Sequence, residues 1–122
     1  MGKIRAILVR PREKAEVRMI ENKLETYQSL VKGRIFEFDP FYFELGEEKK
    51  DIAFICNDDG HFSGLPACRM LYDVGGIPES VIYGPFVIVR CDVAKGVYCS
   101  LTDQQIQEMI DLLGEPHWYL DD

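Results

Sequence analysis

Asp51-Ile52-Ala53-Phe54-Ile55-Cys56, followed at once by Asn57-Asp58-Asp59-Gly60, is the stretch on which the fold turns. Its apolar residues are consecutive rather than alternating, the pattern of a strand covered on both faces. A central place in a sheet follows. The four residues after it carry turn chemistry, because Asn and Asp side chains bond nearby backbone, and Gly60 is expected to supply a positive φ.

Working outward toward the N-terminus, Arg34-Ile35-Phe36-Glu37-Phe38-Asp39 alternates apolar and polar like a half-buried strand. Pro40 interrupts it, Phe41-Tyr42-Phe43 continues the aromatic run, and residues 46–50 form a charged turn. Before it, Leu24, Tyr27, Leu30 and Val31 repeat at helical spacing. Asn22 is the expected N-cap, Glu25 its capping-box partner, and Gly33 the expected stop. Earlier still, Ile4 to Val9 and Val17 to Ile20 read as a hairpin whose tip, Pro11 to Lys14, is polar and basic.

Toward the C-terminus, Pro66 to Tyr72 is expected to hold a helical turn, Gly75-Gly76 a break, and Val81 to Tyr83 a short strand. Pro85 to Cys91 reads as a second core strand, with Val97 to Leu101 returning against it across Ala94-Lys95-Gly96. Thr102-Asp103-Gln104-Gln105 fits a capping box, and Leu101 can staple onto Ile106. Ile106, Met109, Ile110 and Leu113 form an apolar stripe that Gly114 and Pro116 end. The order is ββαβββ…ββα: a single α+β domain over residues 1–122, a largely antiparallel sheet with two helices packed on it. Residues 115–122 form a C-terminal tail, whose Trp118, Tyr119 and Leu120 are expected to fold back onto the sheet.

Composition agrees with this reading. The chain has 122 residues, 47% of them hydrophobic and 29% charged, which suits one globular domain. No apolar run approaches the roughly 20 residues of a membrane span, and Ala6 to Val9 is too short for a secretory signal. A cytoplasmic protein with no membrane partner is the expectation. Of Cys56, Cys68, Cys91 and Cys99, the first and the last two sit in apolar, strand-like surroundings and are expected to fill the core, and no disulfide framework is expected without a secretory signal. Their gaps of 11, 22 and 7 residues lack the close pairs of a zinc site, although strand pairing can bring Cys91, Cys99 and His61 together. Net charge is −7 but lopsided, +5 over residues 1–34 and −12 over the remainder. The basic segment is expected to pack beside the acidic one and neutralise it.

Several blocks in order resemble a widespread bacterial and phage family known as a domain of unknown function. They are Ile4 to Val9, Ile20-Glu21-Asn22, Ile55 to Gly60, Gly64-Leu65-Pro66, Tyr83 to Val89 and Ser100 to Asp103. The resemblance implies a small accessory protein, of the kind carried by phages, plasmids and conjugative elements. It brings no catalytic residues with it.

Two clusters stand out as sites. Asn57, Asp58, Asp59, His61 and Arg69 follow a central strand, where loops on a rigid sheet commonly bind ligands. They can hold a small molecule or a metal, or let His61 act as a base. A calcium loop needs alternating oxygen ligands and a closing Glu, which are missing, and a plain turn is the first expectation for the segment. His61 with Cys68 or Cys56 invites a nucleophilic thiol, which requires imidazole contact and an orienting third group. Arg10, Arg12, Lys14 and Arg18 are the second cluster, a basic hairpin able to touch nucleic-acid phosphates. Gly75-Gly76 lacks the Lys and Ser/Thr of a phosphate loop. The expectation is a non-enzymatic accessory protein acting through a surface for an unknown protein partner, with no cofactor and no resident metal. The alternatives are a small-molecule binder or metal-assisted enzyme at residues 57–69, and nucleic-acid binding at the hairpin.

Overall fold

The structure is a computed structural model and describes residues 2–38, 51–72 and 77–116. Ten elements run in the order β1 (Lys3–Val9), β2 (Glu16–Glu21), α1 (Leu24–Val31), β3 (Ile35–Phe38), β4 (Ile52–Asn57), β5 (Ala67–Tyr72), β6 (Pro78–Tyr83), β7 (Phe86–Asp92), β8 (Val97–Cys99) and α2 (Asp103–Leu113). Six strands form a sheet of order β2-β1-β7-β4-β3, with β8 also on β7, while β5 and β6 pair as a separate ribbon. Every pairing between described strands is antiparallel. The α+β reading holds.

β4 sits between β3 and β7, and its consecutive apolar residues divide between two cores. Ile52, Phe54 and Cys56 face α2 and the ribbon, with Ile7, Phe86, Ile88, Met109 and Leu113 around them. Ala53 and Ile55 face α1, with Leu8, Ile20, Tyr27, Val31 and Val87. Three layers result, α1 over one face of the sheet and α2 with the ribbon over the other. Burying a large apolar side chain in either core contributes about 1.5–3 kcal/mol, so β4 stabilises both layers at once.

α2 begins as its sequence predicts. Thr102 Oγ1 accepts from the Gln105 N–H at 3.1 Å, and Gln105 Oε1 accepts from the Thr102 N–H at 3.0 Å. α1 begins differently. Its N-cap is Lys23, with no side-chain cap. The Asn22 amide is engaged elsewhere: Nδ2 donates to the Tyr98 carbonyl at 2.9 Å, and Oδ1 accepts from the Tyr27 hydroxyl at 2.7 Å. The helix ends one residue before the expected stop, with Lys32 in the left-handed conformation at φ 68. Gly33 has another purpose. A Cβ there would lie 2.8 Å from Asn57 Nδ2, so its absence lets that side chain approach.

Residues 67–72 form a strand, not the expected helical turn. Cys68 and Leu71, three apart, both reach the core and mimic helical spacing. The cause is a register shift between Ala67 and Arg69, where two steps along β5 match the single step from Tyr83 to Ile82 on β6. A bulge of this kind puts consecutive residues on one side and breaks the two-residue period. The aromatic run 41–43, the turn at 46–50, the Gly75-Gly76 break and the tail residues 118–120 lie outside the described residues.

Candidate functional site

The polar segment after β4 is fastened down by hydrogen bonds and ion pairs. Asn57 Nδ2 donates to the Val31 carbonyl at 3.0 Å, closing the end of α1, while Asn57 Oδ1 accepts from the Asp59 N–H at 2.7 Å. Asp58 meets Arg34 at 2.9 Å and Asp59 meets it at 3.7 Å, and the Asp58 N–H donates to the Arg34 carbonyl at 2.8 Å. His61 is exposed and stacks on Tyr83, ring centroids 4.7 Å apart. Gly60 does not take the expected positive φ. Its lack of a side chain is needed because a Cβ would fall 2.6 Å from the Tyr83 carbonyl oxygen.

Arg69 does not join this group. It is fully buried on β5, with its guanidinium spread over four backbone carbonyls. Nε donates to Leu113 at 2.9 Å, Nη1 to Cys68 at 2.9 Å and to Arg10 at 3.4 Å, and Nη2 to Glu13 at 2.6 Å. Burial lowers its pKa. The residue ties the β1–β2 loop to the end of α2, which is an architectural task.

The two buried thiols, Cys56 and Cys68, are poor nucleophiles. Burial pushes Cys56 well above the ordinary thiol range, with Cys68 adding to the effect. Burial likewise raises Cys68 to about 12, against a smaller opposing pull from Arg69. A thiolate is the reactive species, so both are inert near neutral pH. Cys91 and Cys99 lie on adjacent strands, where Cys91 faces Tyr98 and Cys99 faces Arg90. His61 stays beside Tyr83, and among the described residues no group of three His, Cys, Asp or Glu side chains is placed to hold a metal.

The basic hairpin divides. Arg10 and Arg18 both reach Glu16, at 2.8 and 3.0 Å, and Arg10 also lies 3.8 Å from Glu13. Lys14 pairs with Glu115 at 3.5 Å. Arg12 is exposed in a left-handed turn conformation at φ 66. The expected neutralisation is visible in Arg5–Asp103, Lys14–Glu115 and Arg34–Asp58, which join the basic opening segment to the acidic remainder.

Arg10 and Arg18 also line an open groove of about 560 Å³ that sequence reasoning missed. The β1–β2 hairpin supplies Leu8, Arg10, Pro11, Glu13 and Arg18, and the end of α1 supplies Ser29, Leu30 and Lys32. The β5–β6 ribbon and its flanking loops bring Leu65, Pro66 and Pro85. The two loops meet because the Gly84 N–H donates to the Pro66 carbonyl at 2.7 Å. A second hollow of about 460 Å³ continues along β2 and shares Arg18 and Leu30. Three bases line it with Glu13 over an apolar floor, two of them shared with Glu16 behind, in a chain whose net charge is −7. Such a surface favours an acidic, partly apolar ligand. Lys32 carried no signal in the sequence, since its position at the groove follows from the left-handed end of α1.

No helix among the described residues is long and apolar enough to cross a membrane. No curated protein and no solved structure matches the chain. A family model described as a domain of unknown function, DUF3846, matches residues 4–114, and that stretch runs from β1 to the end of α2. The chain therefore belongs to the DUF3846 family.

Proposed function

We propose that this domain is a recognition protein rather than an enzyme, and that it takes an acidic segment of a partner protein into the groove between its hairpin and α1. The observation that carries the reading is the convergence of Arg10, Arg18 and Lys32 over the floor of Leu8, Leu30 and Leu65. The exposed stacking of His61 on Tyr83 and the burial of Arg69, Cys56 and Cys68 in the core support it. The resemblance read in the sequence makes an accessory role for a mobile element the natural setting, with the partner sought first among host proteins.

Lys32→Glu and Arg10→Glu reverse charge inside the groove, and Lys95→Glu does so at the distant β7–β8 turn. In quantitative co-purification from the native host, a specific partner is expected to be captured by the wild type and by the Lys95 variant. The groove variants should lose it by about tenfold or more, as rim and core charges at an interface commonly do. Equal capture by all variants sinks the reading. A second reading, nucleic-acid binding, draws on Arg10 and Arg18 reaching the same groove. It requires affinity for single- or double-stranded DNA that falls steeply and monotonically with salt.

A further inference from the structure

The two arginines of the groove are held as a pair. Glu16 and Arg18 lie two apart on β2, opposite Leu8 and Ala6 of β1, so their side chains share the face of the sheet that carries α1. Arg10 stands just past the end of β1. Its carbonyl accepts from the Glu13 N–H at 3.3 Å and from Arg69 Nη1 at 3.4 Å, which fixes its backbone. The Glu16 carboxylate then takes one guanidinium on each oxygen. Oε1 accepts from Arg10 Nη2 at 2.8 Å, and Oε2 accepts from Arg18 Nη2 at 3.0 Å and Nε at 3.1 Å. Arg10 and Arg18 line the groove, and Glu16 stands behind them. A guanidinium carries five N–H donors. Glu16 engages only Nη2 of Arg10 and Nε and Nη2 of Arg18, so each arginine keeps donors for a second oxyanion. An isolated exposed ion pair contributes little, but a carboxylate shared by two guanidiniums is a network with a set geometry.

We infer that Arg10, Glu16 and Arg18 form a carboxylate clamp, in which Glu16 is a positioning residue and the two guanidiniums together take an Asp or Glu side chain of the partner. The inference rests on the groove being a site for an acidic partner segment, and it adds how the anion is recognised there. Without Glu16 the two guanidiniums repel each other, and each long side chain has to be ordered when the ligand arrives. With Glu16 in place both are ordered beforehand, and a second planar carboxylate completes an alternating set of two bases and two acids. Lys32, an ammonium on a flexible stem, adds attraction without that geometry. Charge alone predicts the reverse for Glu16, because it is an acid beside a site for acids.

Glu13 supplies the comparison. It lines the groove, and its carboxylate comes only within 3.8 Å of Arg10, beyond hydrogen-bond distance. Glu13→Gln and Glu16→Gln therefore remove the same charge from the same neighbourhood, and only the second undoes the clamp. Affinity of the full chain for a fluorescently labelled peptide of alternating Asp and Leu residues is measured by anisotropy in about 0.15 M salt. Glu13→Gln should bind about twofold tighter than wild type, and Glu16→Gln at least about fivefold weaker. Arg18→Lys keeps the charge and loses the fork, and it should bind about tenfold weaker. It decides the matter if Glu16→Gln proves unfolded by circular dichroism. A Glu16→Gln chain that binds as tightly as wild type, a Glu13→Gln chain as weak as the Glu16 variant, or an Arg18→Lys chain indistinguishable from wild type overturns the clamp and leaves the groove reading standing. A wild type that binds no peptide overturns both.

Discussion

Arg69 shows how much one side chain can decide. A buried guanidinium normally demands a carboxylate, yet this one is distributed over the carbonyls of Leu113, Cys68, Arg10 and Glu13. Those carbonyls belong to the end of α2, the ribbon and the β1–β2 loop, so three separate parts of the chain share one donor fork. Arg69→Met keeps the length of the side chain and removes every donor. Leaving several buried acceptors unpaired should cost on the order of 3–5 kcal/mol, a large share of the 5–15 kcal/mol of a typical domain. Arg69→Lys retains charge but not the planar fork, and about half that loss is expected. Chemical denaturation with urea checks both; an Arg69→Met midpoint close to wild type would show that water satisfies the carbonyls. Sequence placed Arg69 with Asp58, Asp59 and His61 because they are neighbours in the chain. Its burial was invisible there, since the bulge at Cys68 that turns it inward leaves no mark in residue types.

At the scale of elements, local chemistry was legible where it is self-contained. The capping box of α2 involves residues three apart, the β7–β8 turn spans a few residues, and β4 announces its two covered faces by composition alone. What was not legible depends on partners far along the chain. Asn22 looks like an N-cap until Tyr98, 76 residues on, claims its amide. Residues 67–72 look helical until β6 imposes a shifted ladder. The groove is the extreme case, since hairpin, helix end and ribbon loops all contribute to it. The start of α2 offers a graded test of local against distant bonding. Thr102→Ala removes the cap alone and should cost about 1 kcal/mol. Gln105→Ala removes the reciprocal bond and also the contact from Gln105 Nε2 to Asp51 Oδ2 at 3.0 Å, beside an Asp51 Oδ1 already buried without a partner. Its cost should exceed that of Thr102→Ala by about 1 kcal/mol or more. Equal losses in urea denaturation would mean that the link to Asp51 contributes nothing beyond the cap.

For the whole molecule, the decisive feature is a local field opposed to the global one. A net charge of −7 repels any acidic partner at a distance, while in the proposed complex Arg10, Arg18 and Lys32 would attract it at contact. The two effects have different ranges. At about 0.01 M salt the screening length is about 30 Å, so an approaching acidic segment meets the charge of the entire domain. At about 0.15 M it is about 8 Å, and the groove dominates once the partner is close. At about 1 M it is about 3 Å, and even contacts in the groove weaken. Affinity for an acidic peptide should therefore pass through a maximum at intermediate ionic strength instead of falling throughout. A fluorescently labelled peptide of alternating Asp and Leu residues, titrated with the full chain from about 0.01 to 1 M salt, measures this by anisotropy. Lys32→Glu should flatten the curve by removing the attractive contact while making the long-range repulsion stronger. A steady decline from the lowest salt, with a slope that counts released counterions, would instead mark the groove as a binding site for a polyanion such as nucleic acid.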